Sequence, residues 1–133
     1  MRISEHGVTI VELMVVVIII SILASLALAN FSRSTESALD KEAFAALRLI
    51  HSAQQNYYLE AETYYPNSGT VNSIPLINQN LRLSLPTDAN RAWNYAVYSS
   101  GCSRATRNGG NGRSWYLTIN DADETPNEGA GCP

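Results

Sequence analysis

Hydrophobic and polar positions fall into three patterns along the chain. From Val8 to Ala29 the sequence is almost wholly apolar, VTIVELMVVVIIISILASLALA, with neither Gly nor Pro and one charge, Glu12. As a helix this run is roughly 33 Å long, enough to cross a bilayer core of about 30 Å. From Leu39 the pattern becomes periodic. Leu39, Ala43, Ala46, Ile50, Ala53 and Tyr57 step by four and three, and Phe44 and Leu47 widen the stripe. Lys41, Arg48, Ser52, Gln55 and Glu62 take the other side, which predicts an amphipathic helix. Beyond Pro66 the period shortens to two. Trp93, Tyr95 and Val97 alternate with Asn94, Ala96 and Tyr98, and Trp115, Leu117 and Ile119 alternate with Tyr116, Thr118 and Asn120. Both stretches predict strands with one buried face.

The connections refine this picture. Asn30 to Ser37 is polar and rich in Ser and Thr, which compete for backbone hydrogen bonds, so a bend or a restart capped by Ser34 or Ser37 is expected there. Otherwise one nearly continuous helix is expected from Val8 to about Ala61, closed by Pro66 and the turn residues Asn67, Ser68 and Gly69. Val71 to Leu85 reads as a loop with a helical turn and a short strand where Leu81, Leu83 and Leu85 alternate. The Gly- and Asn-rich stretch from Cys102 to Arg113 reads as a long hairpin loop joining the two predicted strands. The expected fold class is α+β: a long N-terminal helix, transmembrane in its first half and amphipathic in its second, packed against a small antiparallel sheet.

Composition narrows the function classes. The chain has 133 residues and a formal charge of −3, which fits one modest globular domain beyond the apolar run and gives no basic excess of the kind nucleic-acid proteins carry. Arg104, Arg107 and Arg113 lie near Tyr98 and Trp115, but pairing with the acidic tail is the expected use of those arginines, and nucleic acid is not the expected partner. The two histidines, His6 and His51, form no nucleophile–base–orienter set, and no phosphate-cradling motif is present, so no enzyme is predicted and no catalytic residue is assigned. His51 reads as a helix-surface residue. Cys102 and Cys132 read as one disulfide in an exported domain and as two free thiols in a cytoplasmic one. Asp121, Asp123, Glu124 and Glu128, with Asn120, offer oxygen atoms suited to calcium but lack the glycine and ligand ladder of an EF-hand, and a solvated acidic loop is the plainer reading. No cofactor is otherwise expected.

Glu12 is the residue that needs explaining. A carboxylate within an apolar span costs on the order of 2.5–3.5 kcal/mol or more and normally faces a partner. Three readings fit the span: a plain membrane anchor, a secretory signal cut after Ala27-Leu28-Ala29, and a third that depends on the local motif. Against the second, the apolar run is longer than the usual ~7–15 residues.

Gly7, then Val8, Thr9, Ile10, Val11, Glu12, Leu13 and Met14, resembles the prepilin signal of type IV pilins and type II secretion pseudopilins. The resemblance implies a leader of residues 1–7, removed by a prepilin peptidase between Gly7 and Val8, and a transmembrane and filament-core helix over 8–29. It implies a pilin-like domain over 30–133 with a C-terminal disulfide loop. It makes the new amine of Val8 an N-methylation candidate and Glu12 the assembly residue that meets a neighbour's amine. Here Val8 stands where the family usually has Phe, and Ser21, Ser25 and Ala29 occupy a half of the helix that many members break with Gly or Pro. The implied product is a structural subunit of a type IV pilus or a secretion pseudopilus, a homo- or hetero-oligomeric filament. Its implied partners are an inner-membrane assembly platform and an ATPase. The implied location is the inner membrane, single-pass with the domain outside the cytoplasm, then a periplasmic or surface filament. Some pseudopilins bind calcium in a C-terminal loop, which keeps the acidic cluster on that list. The alternative is a membrane-anchored or secreted binding domain that never polymerises.

Overall fold

The computed structural model describes residues 7–110, 112–122, 124–129 and 131–132. Residues 1–6, including His6, and the acidic candidate Asp123 lie outside the described residues. Helix α1 runs Ile10–Ala61, followed by β1 (Thr70–Val71), α2 (Ile74–Leu81), β2 (Trp93–Tyr98), β3 (Ser103–Arg107), β4 (Ser114–Leu117) and β5 (Asn127–Glu128). The chain divides into two compact units, one through Ala38 and one from Leu39 onward.

In the first unit the apolar side chains are exposed, from 48% at Val16 to 80% at Ile10. Helix α1 is long and apolar enough to cross a membrane. Its hydroxyls are absorbed without a break. Ser21 donates to the Val17 carbonyl at 2.7 Å, Ser25 to Ser21 at 2.9 Å and Thr35 to Phe31 at 3.0 Å. Each satisfies its hydroxyl on the preceding turn. The restart expected between Asn30 and Ser37 is not found, since helix α1 includes all of those residues.

The second unit holds the core. Ala43, Leu47 and Ile50 of α1 are fully buried against Ile74 and Ile77 of α2 and Trp93, Tyr95, Val97, Ala105 and Leu117 of the sheet. The stripe from Leu39 to Tyr57 is thus the buried face that its period predicts. The sheet has five strands in the order β1-β2-β3-β4-β5, all neighbours antiparallel. The α+β class stands, with two corrections of detail. The predicted strands β2 and β4 do not pair with each other, because β3 lies between them, with Tyr95 opposite Ala105 and Ala105 opposite Trp115. The long hairpin loop is two short turns around a central strand. Likewise Leu81 to Leu85 is not a strand. Leu81 ends α2, Arg82 turns left-handed at φ 54 as its cap, and the Asn78 side chain takes both the N–H and the carbonyl of Leu85 at 2.9 Å. Leu81 and Leu85 are buried without a strand ladder to hold them.

Alternation in β2 predicts one buried face, yet Tyr95, Ala96, Val97 and Tyr98 are all buried. A second cluster of Ala96, Tyr98, Cys102 and Cys132, with Tyr116 against it, covers the face turned away from the main core. The C-terminal segment supplies that cover.

Candidate functional site

The N-terminal motif carries the first candidate residues. Thr9 stands just before α1, and its Oγ1 accepts the N–H of Glu12 at 3.2 Å while its carbonyl accepts the N–H of Leu13 at 3.1 Å. This is one half of a capping box, in which an N-terminal Thr satisfies a free donor of the first turn and an acid follows three residues later. The T-x-x-E spacing is visible in the sequence, and reading Glu12 only as a charge in an apolar span overlooks it. Glu12 is exposed in the first turn, where a negative charge suits the positive end of the helix. Gly7 has no atom within 4 Å of where a Cβ would stand, and its φ lies outside the left-handed region. Neither space nor backbone conformation in the fold asks for glycine at that position.

The C-terminal candidates sit on the second unit. Cys102 and Cys132 form a disulfide with a Cα–Cα distance of 5.7 Å. Gly131 lies on the Tyr116 ring, where a Cβ would come within 2.3 Å of ring carbon. The acidic candidates separate. The Asp121 carboxylate accepts the Thr118 N–H at 2.9 Å, Glu128 lies 3.6 Å from Arg113 Nε, and Glu124 lies 3.8 Å from His51 Nδ1. Among the described residues no group of three or more His, Cys, Asp or Glu converges as a metal-holding set.

The arginines are structural ties. Arg113 pairs with Asp40 of α1 at 3.0 Å and lies over the Trp115 ring, whose Nε1 donates to the same Asp40 at 3.2 Å. Arg107 lies over Trp93 and Arg104 over Tyr98. Trp93 Nε1 donates to the Leu39 carbonyl at 2.9 Å. Leu39 and Asp40 therefore form the level of α1 where both tryptophans attach, and the acid at position 40 gave the sequence reading no signal because it looks like any charge beside an apolar stripe.

Three further polar side chains are buried. Gln54 is fully buried; its amide clamps the Tyr65 N–H at 2.9 Å and also donates to the Tyr65 carbonyl. His51, expected on the helix surface, is 3% exposed, and neither ring nitrogen has a hydrogen-bond partner. A buried polar group left so costs about 1–3 kcal/mol. Tyr95 is buried as well, and burial, with the Glu42 charge as a smaller cause, pushes its phenol up to about 12. The tyrosines at the end of α1 pair off, Tyr58 stacking on Tyr64 and Tyr57 meeting Tyr65 edge-on. Beside them a groove lined by Leu49, Ala53, Leu81 and Leu83 is rimmed by the exposed pair Arg82 and Glu60.

Comparison with known proteins agrees with this layout. Residues 2–28 match the family model described as the prokaryotic N-terminal methylation motif. The chain is 36% identical over 69 residues to the type IV major pilin protein PilA of Myxococcus xanthus (strain DK1622). That match takes in 48% of this chain and 31% of the relative, so the chain spans about a third of the length of the curated relative it matches. The chain is thus similar to proteins with the methylation motif over residues 2–28 and to a type IV major pilin over part of its length, on a fold of one long helix with an apolar first half and a small antiparallel sheet.

Proposed function

We propose that the chain is a filament subunit, made as a precursor and cut between Gly7 and Val8 by a membrane peptidase. The observation that carries this reading is the N-terminal motif itself. A glycine that the fold does not require precedes a capped helix whose apolar run, as far as Ala29, carries one charge, Glu12. A protease that must seat the backbone closely is served by a residue without a side chain.

Cleavage leaves a cationic amine on Val8, the candidate for N-methylation. Within one helix that amine and Glu12 are poorly placed to neutralise each other. Between parallel helices offset along their axes they meet in low dielectric, where attraction is stronger than in water. The pairing sets the stagger, as a buried polar residue sets register in a coiled coil. The subunit waits in the inner membrane with residues 30–133 outside the cytoplasm, a placement the disulfide favours. Assembly moves the apolar segment from lipid into the filament core without exposing it to water. An assembly platform and an ATPase supply the lifting, since the sequence holds no phosphate-cradling motif. The chain itself acts as a structural part and not as an enzyme. The reading assigns no role to calcium; among the described residues Asp121, Glu124 and Glu128 turn to three different partners.

The pilus is preferred to the secretion pseudopilus because the relative is a major pilin. Imaging of a tagged copy in surface filaments separates the two. Mass spectrometry of the mature chain tests the core of the proposal. A start at Val8 supports it; a start at Met1 or Asn30 removes it. Glu12→Val should leave the subunit in the membrane and lower filament yield on the order of tenfold or more, the scale of losing one partner of a buried pair. Filaments as abundant as wild type would show that this carboxylate does not drive docking.

A further inference from the structure

Two charges in the second unit stand where the fold disfavours a charge. Arg104 on β3 is half-buried, and its Nε is buried with no hydrogen-bond partner. A guanidinium keeps its charge at any working pH, so burial leaves a cation short of water. The Tyr98 ring at 5.5 Å gives it an aromatic face but no oxygen. The other arginines of the unit each reach an oxygen: Arg48 that of Glu124, Arg82 of Glu60, Arg91 of Asn94, Arg107 of Ala92 and Arg113 of Asp40. Among the described residues no carboxylate pairs with Arg104.

Glu62 is the opposite case. It directly follows α1 and is exposed, with φ 56, and its N–H closes the last turn on the Tyr58 carbonyl at 2.8 Å. Glycine or asparagine ordinarily takes that left-handed position. A carboxylate there also meets the negative end of the helix. The last turn of α1 holds no basic residue, Arg82 pairs with Glu60, and among the described residues no cation pairs with Glu62.

We propose that Arg104 of one copy receives Glu62 of a second copy, in a head-to-tail contact between their globular domains.

The inference deepens the filament reading and rests on it for bringing the copies together. Successive residues of a strand face opposite sides of a sheet. Ala105 is buried in the core with α1, so Arg104 stands on the outer face, between its cross-strand neighbours Ala96 and Tyr116. Glu62 stands at the end of the helix that covers the inner face. The two groups belong to different layers, so each copy presents one to one neighbour and the other to the next. A heterologous contact of this kind repeats and builds an open assembly wherever its rotation does not close a ring. The chemistry matches at both ends. The arginine fork takes two carboxylate oxygens. Tyr58 and Leu59, 43% and 81% exposed beside Glu62, give apolar surface to set against Tyr116.

The test uses the full chain in cells that assemble it, with two distinguishable copies expressed together. One carries Arg104→Lys and Glu62→Gln; the other is wild type. A water-soluble carbodiimide activates a carboxylate, and an amine in contact displaces it as its urea to leave an amide. Mass spectrometry of the cross-linked dimer should find position 104 of the first copy joined to Glu62 of the second, a link that can form only between copies. Charge reversal gives the second readout, with tryptophan fluorescence as the check on folding. Glu62→Arg and Arg104→Glu, each alone, set like charges against each other and should lower filament yield roughly tenfold or more. Expressed together, the two variants place opposite charges at alternating contacts and should restore most of the yield. If Arg104→Glu does not fold, the cross-link decides. Absence of the link overturns the contact, and so do folded single variants whose filaments are as abundant as wild type. In that last case the filament reading stands without this contact. A link found in cells that form no filament keeps the contact and removes the filament reading.

Discussion

Tyr95 shows how a single buried side chain ties stability to pH. It is 2% exposed in the main core, and its proton is held up to about 12 by burial first and by Glu42 second. In the unfolded chain a phenol releases its proton near about 10. The folded state therefore binds that proton more tightly. The stability this confers is complete below about pH 10 and is lost as pH climbs through the interval to about 12. Two units correspond to about 2–3 kcal/mol. Denaturant midpoints measured from pH 9 to 12 should fall along that course in the wild type, and Tyr95→Phe should flatten a large part of the slope. Tyr65 is raised as well, by burial and then by Tyr57, partly offset by the hydrogen bond from Asn80, so a shallower residual slope is expected in the variant. Gln54 and Asn78 illustrate the other residue-scale device, a side-chain amide standing in for a missing strand by taking both backbone groups of one residue.

At the scale of elements the decisive piece is β3. Its sequence, Ser-Arg-Ala-Thr-Arg, has one buried apolar residue, Ala105, and sits beside a run of glycines, so nothing in it alternates like a strand. It is nevertheless the central strand, paired on both sides. Its arginines fit because aromatic faces from the neighbouring strand β2 carry them, Tyr98 under Arg104 and Trp93 under Arg107. Those faces come from β2 and not from β3's own residues, so the strand was not legible from its own pattern. Helix α1 and strands β2 and β4 were, because each carries its own period. The Cys102–Cys132 pair was legible from the even count once an exported domain is granted. His51 was misread because the apolar stripe looked complete without it, whereas its cover is the C-terminal segment reached through Arg48 and Glu124. A proline scan distinguishes a central strand from a loop. Thr106 pairs with Asn94 on one side and Ser114 on the other. Thr106→Pro should lower stability by about 3 kcal/mol or more, seen as a shift in urea midpoint, because proline removes a donor and clashes inside a sheet. A surface loop would tolerate it.

At the scale of the whole molecule, the two units are held by different means. Among the described residues the first leaves its large apolar side chains exposed, on a helix long and apolar enough to cross a membrane. The second has a core from Ala43 to Leu117 and a smaller cluster closed by the disulfide. Closing a loop over a sequence separation of 30 contributes about 3.5 kcal/mol in the chain-entropy model. The bond is not the tail's one attachment: Arg48 holds Glu124, Arg113 holds Glu128, and Ser114 donates to the Gly129 carbonyl at 2.9 Å. Neither cysteine belongs to the main cluster, and what lies against them is Ala96, Tyr98 and Tyr116. Removing the bond with paired Cys102→Ala and Cys132→Ala changes should therefore act in two places. The urea midpoint should fall by an amount equivalent to about 3.5 kcal/mol or less, since the remaining contacts still restrict the tail. Before that transition, amides near Tyr116 should lose protection while those of β2 facing Leu47 and Ile50 keep theirs. If the whole sheet loses protection together, the small cluster is not a separate layer, and the tail is part of the main core after all.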